Sequence, residues 1–104
     1  MRLVYISGQY RANTIYGIVE NVRKAEVVAL KYWRKGCAVI CPHKNTALLD
    51  GAIEDVDAQV WLEGDLEMLR RCDIIVMMQG WEESEGATKE LQFAIQHGME
   101  VVYE

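Results

Sequence analysis

The sequence predicts an α/β domain of three layers: a parallel sheet of four to five strands covered by helices on both faces. Short apolar, β-rich runs alternate with longer amphipathic stretches along the whole chain. The short runs are apolar at consecutive positions rather than at every second one, the pattern of strands buried on both faces. At 104 residues there is room for one domain, so 1–104 reads as a single unit.

Arg2–Ile6 is the first such run, and Ser7-Gly8 turns the chain at its end. From Gly17 to Lys35, the residues Ile18, Val22, Ala25, Val28, Ala29 and Tyr32 recur at helical spacing. Glu20, Arg23, Lys24, Glu26 and Lys31 fall mostly to the other side, and Gly36 stops the helix. Cys37–Cys41 is a second strand, ended by Pro42, which lacks a ladder donor. His43–Asp55 reads as a polar connection with room for one short helical turn. Val56–Arg71 is helical by period, Asp73–Met78 is a third buried strand, Ser84–His97 a further helix closed by Gly98, and Val101–Tyr103 a fourth strand. With right-handed crossovers this order makes a Rossmann-like, flavodoxin-like sandwich. Such sheets bind ligands beyond the carboxyl ends of their strands, which directs attention to 8–11, 42–45 and 79–86.

Composition narrows the partners. Hydrophobic residues at 51% and charged residues at 26% are the balance of a folded chain, not of a disordered tail. A net charge of −5 argues against a nucleic-acid polymer and for a small molecule. Three cysteines, an odd number, and an N-terminus without a leader's apolar region suit a reducing, cytoplasmic setting. No apolar run approaches the roughly 20 residues of a membrane span. Cys37, Cys41 and His43 do not make a metal site, because strand residues four apart are separated by roughly 13 Å. The turn at Gly8 is neither a dinucleotide fingerprint nor a P-loop, and no Gly-x-Ser-x-Gly elbow is present. Neither metal nor cofactor is therefore expected.

Two acids break their own patterns. Asp65 falls inside the apolar stripe of Ala58, Trp61, Leu62 and Leu69, where a carboxylate must either satisfy a buried donor or face a polar pocket. Glu90 stands at the edge of the stripe of Ala87, Leu91, Ala94 and Ile95, and on spacing alone it could simply complement a helix dipole. Ser84 suits the N-cap of that helix, whose first-turn amides can hold an anion or a sugar hydroxyl. Arg11 sits either beside the expected pocket or on the open surface.

Taken together, these residues resemble the nucleoside 2-deoxyribosyltransferase-like superfamily, which includes deoxyribosyltransferases and deoxynucleoside 5′-monophosphate N-glycosidases. The likeness spans nearly the whole chain. It rests on Val4-Tyr5-Ile6-Ser7-Gly8 with Arg11, on Pro42-His43, on Asp65 followed by Cys72-Asp73, and on Gly80-Trp81 with Ser84-x-Gly86-x-x-x-Glu90 and Ala94. The resemblance implies Glu90 as nucleophile, Tyr5 as the group orienting it, and Asp65 holding the ribose end. It implies Ser84 and Gly86 on the sugar or 5′-phosphate, with Gly8, Gln9, Arg11 and His43 completing the substrate site near the phosphate or base.

A carboxylate suits that chemistry, since breaking a C1′–N bond develops oxocarbenium character that a carboxylate stabilises or traps. The leaving base needs a proton, which His43, Asp65 or water could supply. Serine at 84, where similar deoxyribosyltransferases often carry aspartate, points toward the nucleotide hydrolases. Glu82, Glu83 and Glu85 oppose a phosphate dianion, and Thr88 stands where those hydrolases often have glycine. A C-terminal segment reaching a neighbour's site is not expected after Glu104. The alternative is a nucleotide-binding or sensing module without turnover. Trp33, Trp61 and several tyrosines suggest a homodimer or higher homo-oligomer.

Overall fold

The computed structural model describes residues 1–49 and 51–104. Four strands, β1 (Leu3–Ser7), β2 (Ala38–Ile40), β3 (Ile74–Met77) and β4 (Glu100–Tyr103), form one parallel sheet in the order β2-β1-β3-β4. The helices are α1 (Ile15–Arg34), α2 (Pro42–Asn45), α3 (Ala58–Arg70) and α4 (Glu85–Gln96), with a 3₁₀ turn at Trp81–Glu83. This is the expected α/β architecture at the lower end of the expected strand number.

Capping chemistry moves the starts of α1 and α3 from where periodicity set them and keeps that of α4. Thr14 accepts from the Gly17 amide at 3.0 Å, so α1 opens at Ile15 rather than Gly17. Asp57 accepts from the Gln59 amide, which leaves Val56 outside α3. Ser84 accepts from the Ala87 amide at 3.1 Å, so the expected cap is present. At the other end of α1 the chain turns through Gly36 at φ +86°, a left-handed conformation that favours glycine. Pro42 begins a one-turn helix, and of the His43–Asp55 connection Asp50 lies outside the described residues.

Alternation along β1 divides the core in two. Val4 and Ile6 join Ala25, Ala29, Tyr32, Ile74 and Val76 under α1. Tyr5 joins Leu69, Ile75, Met77, Ala87, Leu91 and Ala94 under α3 and α4. Ser7 shares the Tyr5 face by the period of two and is fully buried. One expectation fails here: Ile95 is 59% exposed, because the α4 stripe that meets the sheet narrows to Ala87, Leu91 and Ala94.

The sheet order reverses between β1 and β3, and that crevice is the switch point of a doubly wound fold. Helix α3 buries Leu69 in the Tyr5 cluster, and residues of its first turns border a cavity. Ala58, Trp61 and Leu62, expected in the core, line that cavity instead. Among the described residues no helix is long and apolar enough to cross a membrane.

Candidate active site

Four segments meet beyond the carboxyl ends of β1, β2 and β3 around a cavity of about 550 Å³. The turn after β1 contributes Gln9, Tyr10 and Arg11; the start of α2 contributes Pro42 and His43. Helix α3 supplies Gln59, Trp61, Leu62 and Asp65, and the approach to α4 supplies Glu83 to Gly86, Lys89 and Glu90. The size falls within the range of small-molecule pockets.

Glu90 is buried, 8% exposed, with both carboxylate oxygens occupied. The Tyr5 hydroxyl donates to Oε2, and the Ser7 hydroxyl donates to Oε1 at 2.7 Å. Burial pushes the Glu90 carboxyl up to about 7; the two hydroxyl donors oppose the rise and the charge of Asp65 adds to it. Burial also drives the Tyr5 phenol far above its ordinary range, with the Glu90 and Asp65 charges acting the same way. Tyr5 therefore stays protonated and remains a donor. Asp65 is pushed up to about 6 by burial. Both acids consequently change charge close to neutrality, an arrangement found where carboxyl groups exchange protons with a ligand.

His43 is 5% exposed, and its Nε2 lies 2.7 Å from the Gln9 carbonyl. A carbonyl only accepts, so Nε2 carries the proton. Nδ1 is buried without a hydrogen-bond partner among the described residues, and burial holds the imidazole below its ordinary value despite the Gln9 and Gly8 backbone. A neutral ring of this kind fixes the β1–α1 loop and has no proton to spare. Tyr10 packs edge-on against it, ring centroids 6.0 Å apart, while the Tyr10 hydroxyl accepts from the Leu48 amide at 2.7 Å.

Of the residues singled out in the sequence, Gln9, Arg11, His43, Asp65, Ser84, Gly86 and Glu90 line the one cavity. Tyr5 stands behind Glu90. Gly8 is buried against Met78, where an added Cβ would come within 2.6 Å of the sulfur, so its bareness lets the turn cross the end of β3. Ser84 spends its hydroxyl on the Ala87 amide, leaving first-turn amides such as that of Gly86 toward the cavity. Sequence places Ser7 in the turn after β1 and gives it no role in the site, although its spacing of two from Tyr5 is the signal that it shares the Glu90 face. Lys89, which pairs with Glu85 at 3.2 Å, and the aromatic wall of Trp61 were likewise not anticipated as lining.

The family model described as "Domain of unknown function (DUF4406)" matches residues 2–103. The chain belongs to the DUF4406 family. No curated protein matches it. Among solved structures, this DUF4406 chain is similar to a 2-deoxyribosyltransferase from Bacillus psychrosaccharolyticus, at 21% identity and a TM-score of 0.68, covering 97% of this chain and 70% of that one. It is also similar to a 2-deoxyribosyltransferase from Leishmania mexicana, at 19% identity and a TM-score of 0.69, covering 99% of this chain and 63% of that one. At these identities what is shared is the fold, which is the fold expected from the sequence resemblance.

Proposed function

We propose that this DUF4406 chain cleaves the N-glycosidic bond of a (deoxy)nucleoside or nucleoside 5′-monophosphate with Glu90 as nucleophile. The observation that carries the reading is a buried glutamate held at both oxygens by Tyr5 and Ser7, beside a second acid, Asp65, that lines the same cavity. An ionised Glu90 oxygen attacks C1′ as the C1′–N bond breaks, and the bonding pair leaves with the base. Tyr5 and Ser7 hold the carboxylate so that little reorganisation accompanies attack. The base takes a proton from Asp65, whose raised value keeps part of it protonated near neutrality, or from water. Water then resolves the glycosyl ester to free sugar or sugar phosphate, or a second base resolves it to a new nucleoside. Both outcomes return Glu90 to its carboxylate. The flat wall of Trp61 and Leu62 suits the base, and the Ser84–Gly86 helix start suits the sugar or its phosphate. The reading includes action as a homo-oligomer in the cytoplasm.

Incubation with a panel of deoxynucleosides and their monophosphates is expected to release free base. Glu90→Ala should lower release at least about 10³-fold, on the order of 4 kcal/mol, with circular dichroism unchanged. Release that survives Glu90→Ala removes the proposal. A second reading, a nucleotide-binding or sensing module, is favoured by one feature: Glu83 and Glu85 border the cavity and oppose a phosphate. It predicts thermal stabilisation by nucleotides without any turnover.

A further inference from the structure

We propose that the outer face of α1 is the surface through which two copies of this chain pair, antiparallel, about a two-fold axis. Helix α1 buries Ala25, Ala29 and Tyr32 against the sheet, yet it carries a second apolar face turned away from it. Ile15, Tyr16, Val19, Val27, Leu30 and Trp33 are between 39% and 73% exposed. Projected at about 100° per residue they fall within roughly 120° of arc, centred roughly 130° from the core-facing stripe. Two of the six are aromatic, each able to bury roughly 150–250 Å². The face thus approaches the roughly 800 Å² that each partner gives to a standard interface.

The spacing and charge of this face select its occupant. Tyr16, Val19, Arg23, Glu26, Leu30 and Trp33 alternate three and four apart, the seam of a two-helix coil. Antiparallel self-pairing sets Tyr16 of one copy against Trp33 of the partner subunit and Val19 against Leu30 of the partner subunit. In the centre, Arg23 then meets Glu26 of the partner subunit, twice by symmetry. A parallel pair would instead oppose arginine to arginine and glutamate to glutamate, at a cost. A lipid surface is a poorer match, since Arg23 and Glu26 interrupt the apolar face at its middle and the chain carries a net charge of −5. Within its own chain Glu26 pairs with Lys44 of α2 at 2.5 Å, so in the dimer it would be shared between Lys44 and Arg23 of the partner subunit. The same register brings Arg34 of the partner subunit beside Ile15, at the end of the loop that carries Arg11 to the cavity.

Sedimentation of the full chain at micromolar concentration is expected to give twice the 11.9 kDa of one copy. Leu30→Glu alters an exposed side chain, so the fold should persist by circular dichroism while the dissociation constant rises at least about tenfold. Arg23→Glu should weaken pairing, and adding Glu26→Arg to it should restore pairing, a rescue that the antiparallel contact requires. A single-chain mass throughout the micromolar range overturns the proposal. So does a dimer indifferent to Leu30→Glu, one tightened by Arg23→Glu, or a single-chain mass together with binding to phosphatidylserine vesicles.

Discussion

The two faces of β1 differ in kind. Val4 and Ile6 enter a largely apolar cluster under α1, whereas Tyr5 and Ser7, one position along in each case, bring hydroxyls to a buried carboxylate under α4. The first face supplies stability through burial, and the second gives up part of that stability to keep Glu90 in low-polarity surroundings. Five consecutive residues do both because strand side chains alternate.

Breaking the apolar side should produce the largest loss of stability. Ile74→Ala, under α1, is expected to cost roughly 2–5 kcal/mol in urea unfolding. Below the transition, the titration of Glu90 followed by carboxyl NMR should stay in place. A displaced midpoint would show that the two faces are not independent.

Next in size is the charge on Glu90. Its folded value of about 7 lies above an ordinary 4.5, so the native state binds this proton more tightly than the unfolded chain does. The resulting stability is complete below about 4.5 and is lost as pH rises through about 7. Glu90→Gln carries no such charge, and near pH 8 it should be more stable than the parent by up to roughly 3 kcal/mol, the gap closing toward pH 5. Parallel stability–pH curves for the two proteins would contradict a buried, ionising Glu90. In turnover, the acid limb of base release should rise through about pH 7, as the nucleophile ionises.

The smallest effect sharpens the comparison most. Ser7→Ala removes one donor to the Glu90 carboxylate, worth roughly 1–2 kcal/mol to the charged form and little to the fold. The acid limb should move to higher pH with its plateau largely kept. An unmoved limb would reduce Ser7 to packing.

Much of this was legible in the sequence because it is local. The order of strands and helices, Ser84 as a cap and the stops at Gly36 and Gly98 follow from side-chain period and backbone chemistry within a few residues. Asp65 and Glu90 stood out by interrupting or edging apolar stripes, and both line the cavity. The stripe containing Trp61 and Leu62 was misread as core because a helix projection records which side is apolar, not whether sheet lies beneath it. Ile95 was misread for the same reason. Ser7 was passed over because a serine next to a glycine looks like turn chemistry, and only the extension of β1 to residue 7 makes it a strand side chain.

Sequence by itself determined the α/β alternation, the Ser84 cap and the unusual carboxylates, since each depends on neighbours along the chain. Tertiary structure alone decided that Ser7 and Glu90, 83 residues apart, share a hydrogen bond. That contact requires β1 to lie between β2 and β3 with α4 across its Tyr5 face, and strand order is settled by long-range packing that no local pattern encodes.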